Sequence, residues 1–191
     1  VRAMVQKAGF YRGAMWITAI FLSAAPASAQ KDPAEAALHY FTRHDAGNIA
    51  ALLDSVRPAP VSDAERKRIL ATLPPNGDVR DLDSDQQKKL SAVRRVLELH
   101  QREAVYVINV MNVIEVPQAA VALHGRAVVL VSERALDLLD AEELQALVAH
   151  EVCHEYFWGD YFAARQENRE SSLRTLELLC DGFAVVTLER A

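Results

Sequence analysis

Two cysteines in 191 residues are too few to staple a disulfide scaffold, so the fold must stand on packing, with at most one bridge. Seven glycines and seven prolines exclude a collagen-like or low-complexity chain. With 51% apolar and 25% charged residues the balance is that of a globular protein. Basic charge is also scarce. Lys plus Arg number 21 against 26 Asp plus Glu, a formal charge of −5, which offers no positive field to a phosphate backbone. Nucleic acid is therefore not an expected partner. Missing too is any apolar run of the roughly 18 residues that a helical membrane span needs.

The longest apolar run, residues 14–25, has 12 residues and a specific setting. Arg2, Lys7 and Arg12 precede it, and Ala27-Ser28-Ala29 follows with the small residues of a cleavage site. This is the layout of a secretory signal peptide over residues 1–29, and a retained transmembrane helix is the weaker reading. No cysteine follows the run to accept a lipid. Cleavage after Ala29 leaves 18 basic against 26 acidic residues, a formal charge of −8. The expected product is exported, periplasmic or secreted, with no stable membrane span after cleavage. An oxidising compartment permits a Cys153 to Cys180 bridge, although two reduced, buried thiols are the preferred reading.

Residues 30–102 read as a helical N-terminal part of the domain. Ala36, Ala37, Tyr40 and Phe41, then Ile49, Leu52 and Leu53, recur at three- and four-residue steps. Ser62 with Glu65 and Ser84 with Gln87 have capping-box spacing, which predicts helices from about Asp63 and Asp85. Pro58, Pro60, Pro74, Pro75 and Gly77 punctuate the loops. The texture changes in residues 103–191. The β-branched stretch 105–114 and the run 128–131 predict two strands, with a turn at His124-Gly125. Asp140 and Glu143 open a helix that runs towards Phe157, and Leu144, Leu147, Val148 and Val152 predict that it lies inside the domain. The expected fold class is α+β, mostly helical, with a small β-sheet.

Within that helix stands His150-Glu151-Val152-Cys153-His154, the pattern H-E-x-x-H. Residues four apart share a helix face, so both imidazoles can point at one metal while Glu151 reaches a water beside it. Zinc, one ion per chain, suits two nitrogens plus a third protein ligand and an open fourth position. The third ligand is sought in Glu177-Leu178-Leu179-Cys180-Asp181, on a helix capped by Ser171 or Ser172. Glu177 and Asp181 lie one turn apart. Glu177 can complete the coordination, and Asp181 can accept the free N–H of a ligand histidine. An ordinary surface helix is the bland reading of the first motif, and a solvated acidic pair that of the second. Cys153 directly precedes His154 and points off its axis, which disfavours thiol ligation. His39, His44, His100 and His124 are scattered and carry no assigned role.

These residues resemble a known group. His150-Glu151-Val152-Cys153-His154 followed by Glu177 and Asp181 is similar to the gluzincin zinc metallopeptidases of the CAAX prenyl-protease and HtpX-like type, which include soluble periplasmic members. The likeness covers roughly residues 105–186. It takes in Asn112 and Pro117, a strand, a short helix at 136–139, and the lead Asp140-Ala141-Glu142-Glu143-Leu144. It implies a zincin-like core in which His150, His154 and Glu177 bind zinc, Glu151 is the catalytic base, and Asp181 supports a ligand. It further implies a zinc-dependent endopeptidase acting on a protein or peptide substrate, with the strand at 127–131 holding substrate as an added strand. Two departures stand out. Gln118-Ala119-Ala120 replaces the glycines usual after Pro117, and Arg134-Ala135 replaces a Gly-Leu. The family commonly draws a transition-state stabiliser from beyond the second motif, where this sequence has ten residues. Tyr156, Tyr161 and Arg165 are the candidates upstream of it. The alternative function is a zinc-holding, non-catalytic periplasmic chaperone or binding module.

Overall fold

A computed structural model describes residues 51, 53–73, 81–112 and 116–191. The expected signal segment 1–29, the helical pattern of residues 36–50 and the loop at 74–80 lie outside them. Local capping sets where the helices begin. Helix α1 (Asp63–Ala71) follows Ser62, whose hydroxyl accepts the Glu65 amide at 3.2 Å. Helix α2 (Ser84–Leu99) starts one residue earlier than the Ser84 and Gln87 spacing predicts. Asp83 takes the cap position, accepting the Asp85 and Gln86 amides at 2.8 Å each, and Gln86 returns the bond to the Asp83 amide at 3.1 Å. A carboxylate carries full charge to the positive end of the helix, so Asp83 outcompetes Ser84.

Gln101, in the left-handed region at φ 55°, ends α2. The amides of Gln101 and Arg102 then turn back to Glu98 and Leu97 at 2.9 and 2.7 Å. This reversal delivers Arg102 into the interior.

Three strands follow, β1 (Val107–Met111), β2 (Val121–His124) and β3 (Val128–Ser132), in the order β1-β3-β2. β1 is parallel to β3, and β2 is antiparallel to it. The sequence pattern finds β1 and β3 but not β2, whose four residues are too few to show alternation. Strand β3 is therefore central, which corrects the expectation that the segment 127–131 receives a substrate strand: both of its edges are already paired. The edge strand nearer the H-E-x-x-H helix is β2. Gly125, at φ +58°, makes the predicted turn, and a Cβ there would meet Ile69 Cδ1 at 2.9 Å. Only glycine suits both the backbone angle and the space.

Helix α3 (Glu133–Leu138) is capped by Ser132, and α4 (Ala141–Tyr156) carries the predicted capping box. Asp140 accepts the Glu143 amide at 2.8 Å, and Glu143 accepts the Asp140 amide at 2.9 Å. Leu144, Val148, Ala149, Val152 and Cys153 are fully buried. Leu147, expected to join them, instead turns outward and is 42% exposed. The burial of α4 is thus one broad face plus its C-terminal turn.

Helix α5 (Trp158–Gln166) ends at Asn168, φ 51°, with Arg169 bonding back to Ala164 at 2.9 Å. That tight reversal starts α6 (Glu170–Leu188) at once. Ser171 and Ser172 therefore lie inside the first turn rather than capping it. Helix α4 packs between α6, α2 and β2. One core joins Leu90, Val93 and Val96 of α2 to Val148 and Val152 of α4 and Leu179 and Phe183 of α6. The protein is α+β and mostly helical, with a small sheet, as the sequence pattern predicts. Among the described residues no helix is long and apolar enough to cross a membrane.

Candidate metal centre

Residues four apart on α4 and four apart on α6 face each other across the helix pair. His150 Nε2 lies 3.2 Å from Glu177 Oε2, and His154 Nε2 lies 3.8 Å from that same oxygen. His150 Nδ1 is 2.9 Å from Asp181 Oδ1. The donor atoms of His150, Glu151 and His154 all fall within 4.8 Å of one another, a grouping that can hold a metal ion. All five residues singled out by the two motifs therefore meet in one place. The two imidazoles turn Nε2 inward to a shared point and Nδ1 outward to α6.

Glu151 is held from the sheet side. Its Oε2 accepts the Leu123 amide of β2 at 3.2 Å. Burial pushes the Glu151 carboxyl above the usual carboxylate range, against the pull of His154 and of the Leu123 hydrogen bond. A raised carboxyl is one that takes up a proton more readily, which is what a general base requires. Burial alone would lower His154, but contact with Cys180 and the charges of Glu151 and Glu177 together raise it. Three carboxylates, those of Glu151, Glu177 and Asp181, surround two histidines. No lysine or arginine pairs with any of the three among the described ion pairs. Water reaches Glu177 and Asp181, whose side chains are 45% and 67% exposed, while the His150, Glu151 and His154 donors are grouped closely enough to hold a cation.

The flanks also settle several sequence expectations. Cys153 and Cys180 are free and buried, as the preferred reading had it. Cys180 Sγ approaches His154 Nδ1 at 3.7 Å, a contact that no spacing rule announces. A hydrogen bond from Cys153, opposed by burial and assisted by His154, lowers the Cys180 thiol to about 6. Burial pushes Cys153 far upward. Tyr161 of α5 lays its ring against His154, centroids 4.6 Å apart, and Arg165 stands 5.8 Å from the Tyr161 ring centre. Tyr156 does not reach the centre. Its hydroxyl lies 3.3 Å from His100 Nδ1 and its ring packs on Phe183, so it belongs to the core. His100 is a satisfied core histidine, stacked on Phe183 at 4.8 Å with Nε2 3.0 Å from Thr187 Oγ1. His124 pairs with Thr72 at 2.9 Å.

No family model, curated protein or solved structure matches this chain.

One residue beyond His154 on α4, Glu155 is 1% exposed, and its partner Arg102 is 2% exposed. Arg102 Nε donates to Glu155 Oε2 at 2.9 Å, and Arg126 Nη2 lies 3.4 Å from Glu155 Oε1. The same guanidiniums donate to the Pro58 and Ala59 carbonyls. This network ties the C-terminal turn of α4 to the β2–β3 turn and to the segment before α1. It fixes the rotation of the helix that carries the histidines.

Proposed function

We propose that the protein is a zinc-dependent endopeptidase with a zincin-like core, exported through its N-terminal segment and acting on protein or peptide substrates. The observation that carries this reading is the convergence of His150 Nε2 and His154 Nε2 on one Glu177 oxygen, at 3.2 and 3.8 Å, with Glu151 alongside. Two imidazoles and one carboxylate are the ligand set of a catalytic zinc site with an open position. His150, His154 and Glu177 would hold the ion. A bound zinc supplies Lewis-acid polarisation of a carbonyl and makes water a competent nucleophile near neutral pH.

The chain's own residues supply the rest. Glu151 takes a proton and later returns it to the leaving amine, a task suited to its raised carboxyl. Asp181 accepts from His150 Nδ1 and so keeps Nε2 directed inward. The outer edge of β2 borders α4, where the Leu123 amide already bonds Glu151. An extended peptide added to that edge would pass beside Glu151, which makes β2 the substrate strand in place of β3. Tyr161, against His154, is the better placed of the candidate stabilisers.

The test is chelator-sensitive cleavage of an unfolded casein-like protein by the wild type and by Glu151→Gln. Cleavage lost on chelation, restored by zinc and absent from Glu151→Gln supports the reading. Full activity in Glu151→Gln would falsify the base assignment. Zinc bound without cleavage of any such substrate would leave the non-catalytic binding module.

A further inference from the structure

Each histidine of the centre has a partner at its outer nitrogen, and the two partners are chemically unlike. His150 Nδ1 meets the Asp181 carboxylate at 2.9 Å. His154 Nδ1 meets the Cys180 sulfur at 3.7 Å, within the longer range of hydrogen bonds to sulfur. Cys180 and Asp181 are consecutive on α6, while His150 and His154 are one turn apart on α4. The helix pair thus places a separate acceptor behind each ring.

We propose that Cys180 is the positioning residue for His154: its sulfur accepts the Nδ1–H bond that fixes the ring and its tautomer, leaving Nε2 for the metal. This rests on the reading of His150, His154 and Glu177 as metal ligands. Three further observations define the geometry. His154 and Cys180 are both buried, so water does not compete for Nδ1. Cys153, fully buried on α4, belongs to the same apolar core as Cys180. Tyr161 lies against the His154 ring, centroids 4.6 Å apart. The imidazole must present a lone pair at Nε2 to bind a cation, and its single proton must then sit on Nδ1, where Cys180 is the acceptor. Sulfur does not itself reach the ion in this arrangement, because it lies behind the ring rather than beside Nε2.

The experiment measures zinc affinity by competition with a chromophoric chelator, and the cobalt spectrum, for the wild type, Cys180→Ala and Cys180→Ser. Loss of the acceptor in Cys180→Ala should weaken zinc about tenfold and alter the cobalt ligand-field bands. In Cys180→Ser a hydroxyl accepts the same bond, so affinity should return to within about threefold of the wild type. Melting of the metal-free proteins shows whether the variants fold. Should Cys180→Ala fail to fold, Cys180→Ser decides: affinity within about threefold supports the role, and a tenfold loss overturns it. Equal affinities in wild type and Cys180→Ala, or equal losses in both variants, overturn the positioning role and leave Cys180 as packing. A sulfur-to-cobalt charge-transfer band that vanishes in Cys180→Ala also overturns it, by making Cys180 a ligand. A wild type that takes up no metal overturns both this role and the metal centre. Affinities in the expected order without any proteolysis support the Cys180 role and remove only the peptidase reading.

Discussion

His154 and Glu155 are neighbours on α4 and both are buried, yet they face two polar regions built on opposite principles. Around Glu155 the charges nearly close: one carboxylate meets two guanidiniums, and those also bond the Pro58 and Ala59 carbonyls. Around His154 they do not close, since Glu151, Glu177 and Asp181 share two histidines. Buried charge in a low dielectric is tolerated only when paired. The first region is paired by the protein alone and therefore reads as structure. The second keeps the Glu177 and Asp181 side chains 45% and 67% exposed beside donor atoms that can hold a metal ion, and is therefore the candidate site. The network holds the helix in rotation, and the centre uses that rotation.

The largest test of this contrast removes the carboxylate of the closed network. Glu155→Ala leaves Arg102, 2% exposed, without its partner, and should lower the unfolding free energy by about 3–5 kcal/mol in chemical denaturation, with or without metal. A change under about 1 kcal/mol would mean that the network is not what holds α4. Next in size is Glu151→Gln, which should keep bound metal and lower peptidase kcat by about 10²–10⁴-fold, read from initial rates on a fluorogenic peptide.

A pH-dependent effect, modest per unit of pH, comes from the core beside the network. Burial holds His100 down to about 3, from its ordinary 6.5. Between those two values the unfolded chain binds a proton that the native state refuses. The stabilisation is complete above pH of about 6.5 and falls by up to about 1.4 kcal/mol per unit as pH drops towards 3. His100→Phe should flatten that part of the stability profile. An unchanged acid slope would remove His100 as its cause.

Smallest of all, Glu177→Gln in the metal-free protein should shift stability by no more than about 0.5 kcal/mol, because the Glu177 side chain is 45% exposed. A loss approaching that of Glu155→Ala would show the two regions to be alike, and the contrast would fail.

Much of this was legible in the sequence wherever a single local rule decides. The Asp140 and Glu143 box, the glycine turn at 125 and the one-turn spacings of His150 with His154 and Glu177 with Asp181 all carry their geometry on their face. What tertiary structure decides was hidden. Strand β2 is four residues long and is specified by its partner β3 rather than by its own pattern. Leu147 looks like a core residue by composition but turns outward on α4 and is 42% exposed. The cap expected at Ser171 or Ser172 lost to the reversal at Asn168, a left-handed residue whose role depends on α5 ending there. Cys180 meets His154 only because two distant helices pack, and Arg102 pairs with Glu155 for the same reason. Contacts across 26 and 53 positions have no local signature.

The central claim is that α4 and α6 bring His150, His154 and Glu177 onto one ion. Elemental analysis of zinc in the purified protein, beside Glu177→Ala, tests it most directly. The expected result is one zinc per chain in the wild type, and loss of bound zinc in a Glu177→Ala protein that still folds. Zinc retained at full stoichiometry in Glu177→Ala would contradict the ligand assignment, and a wild type that binds no zinc would contradict the centre as a whole.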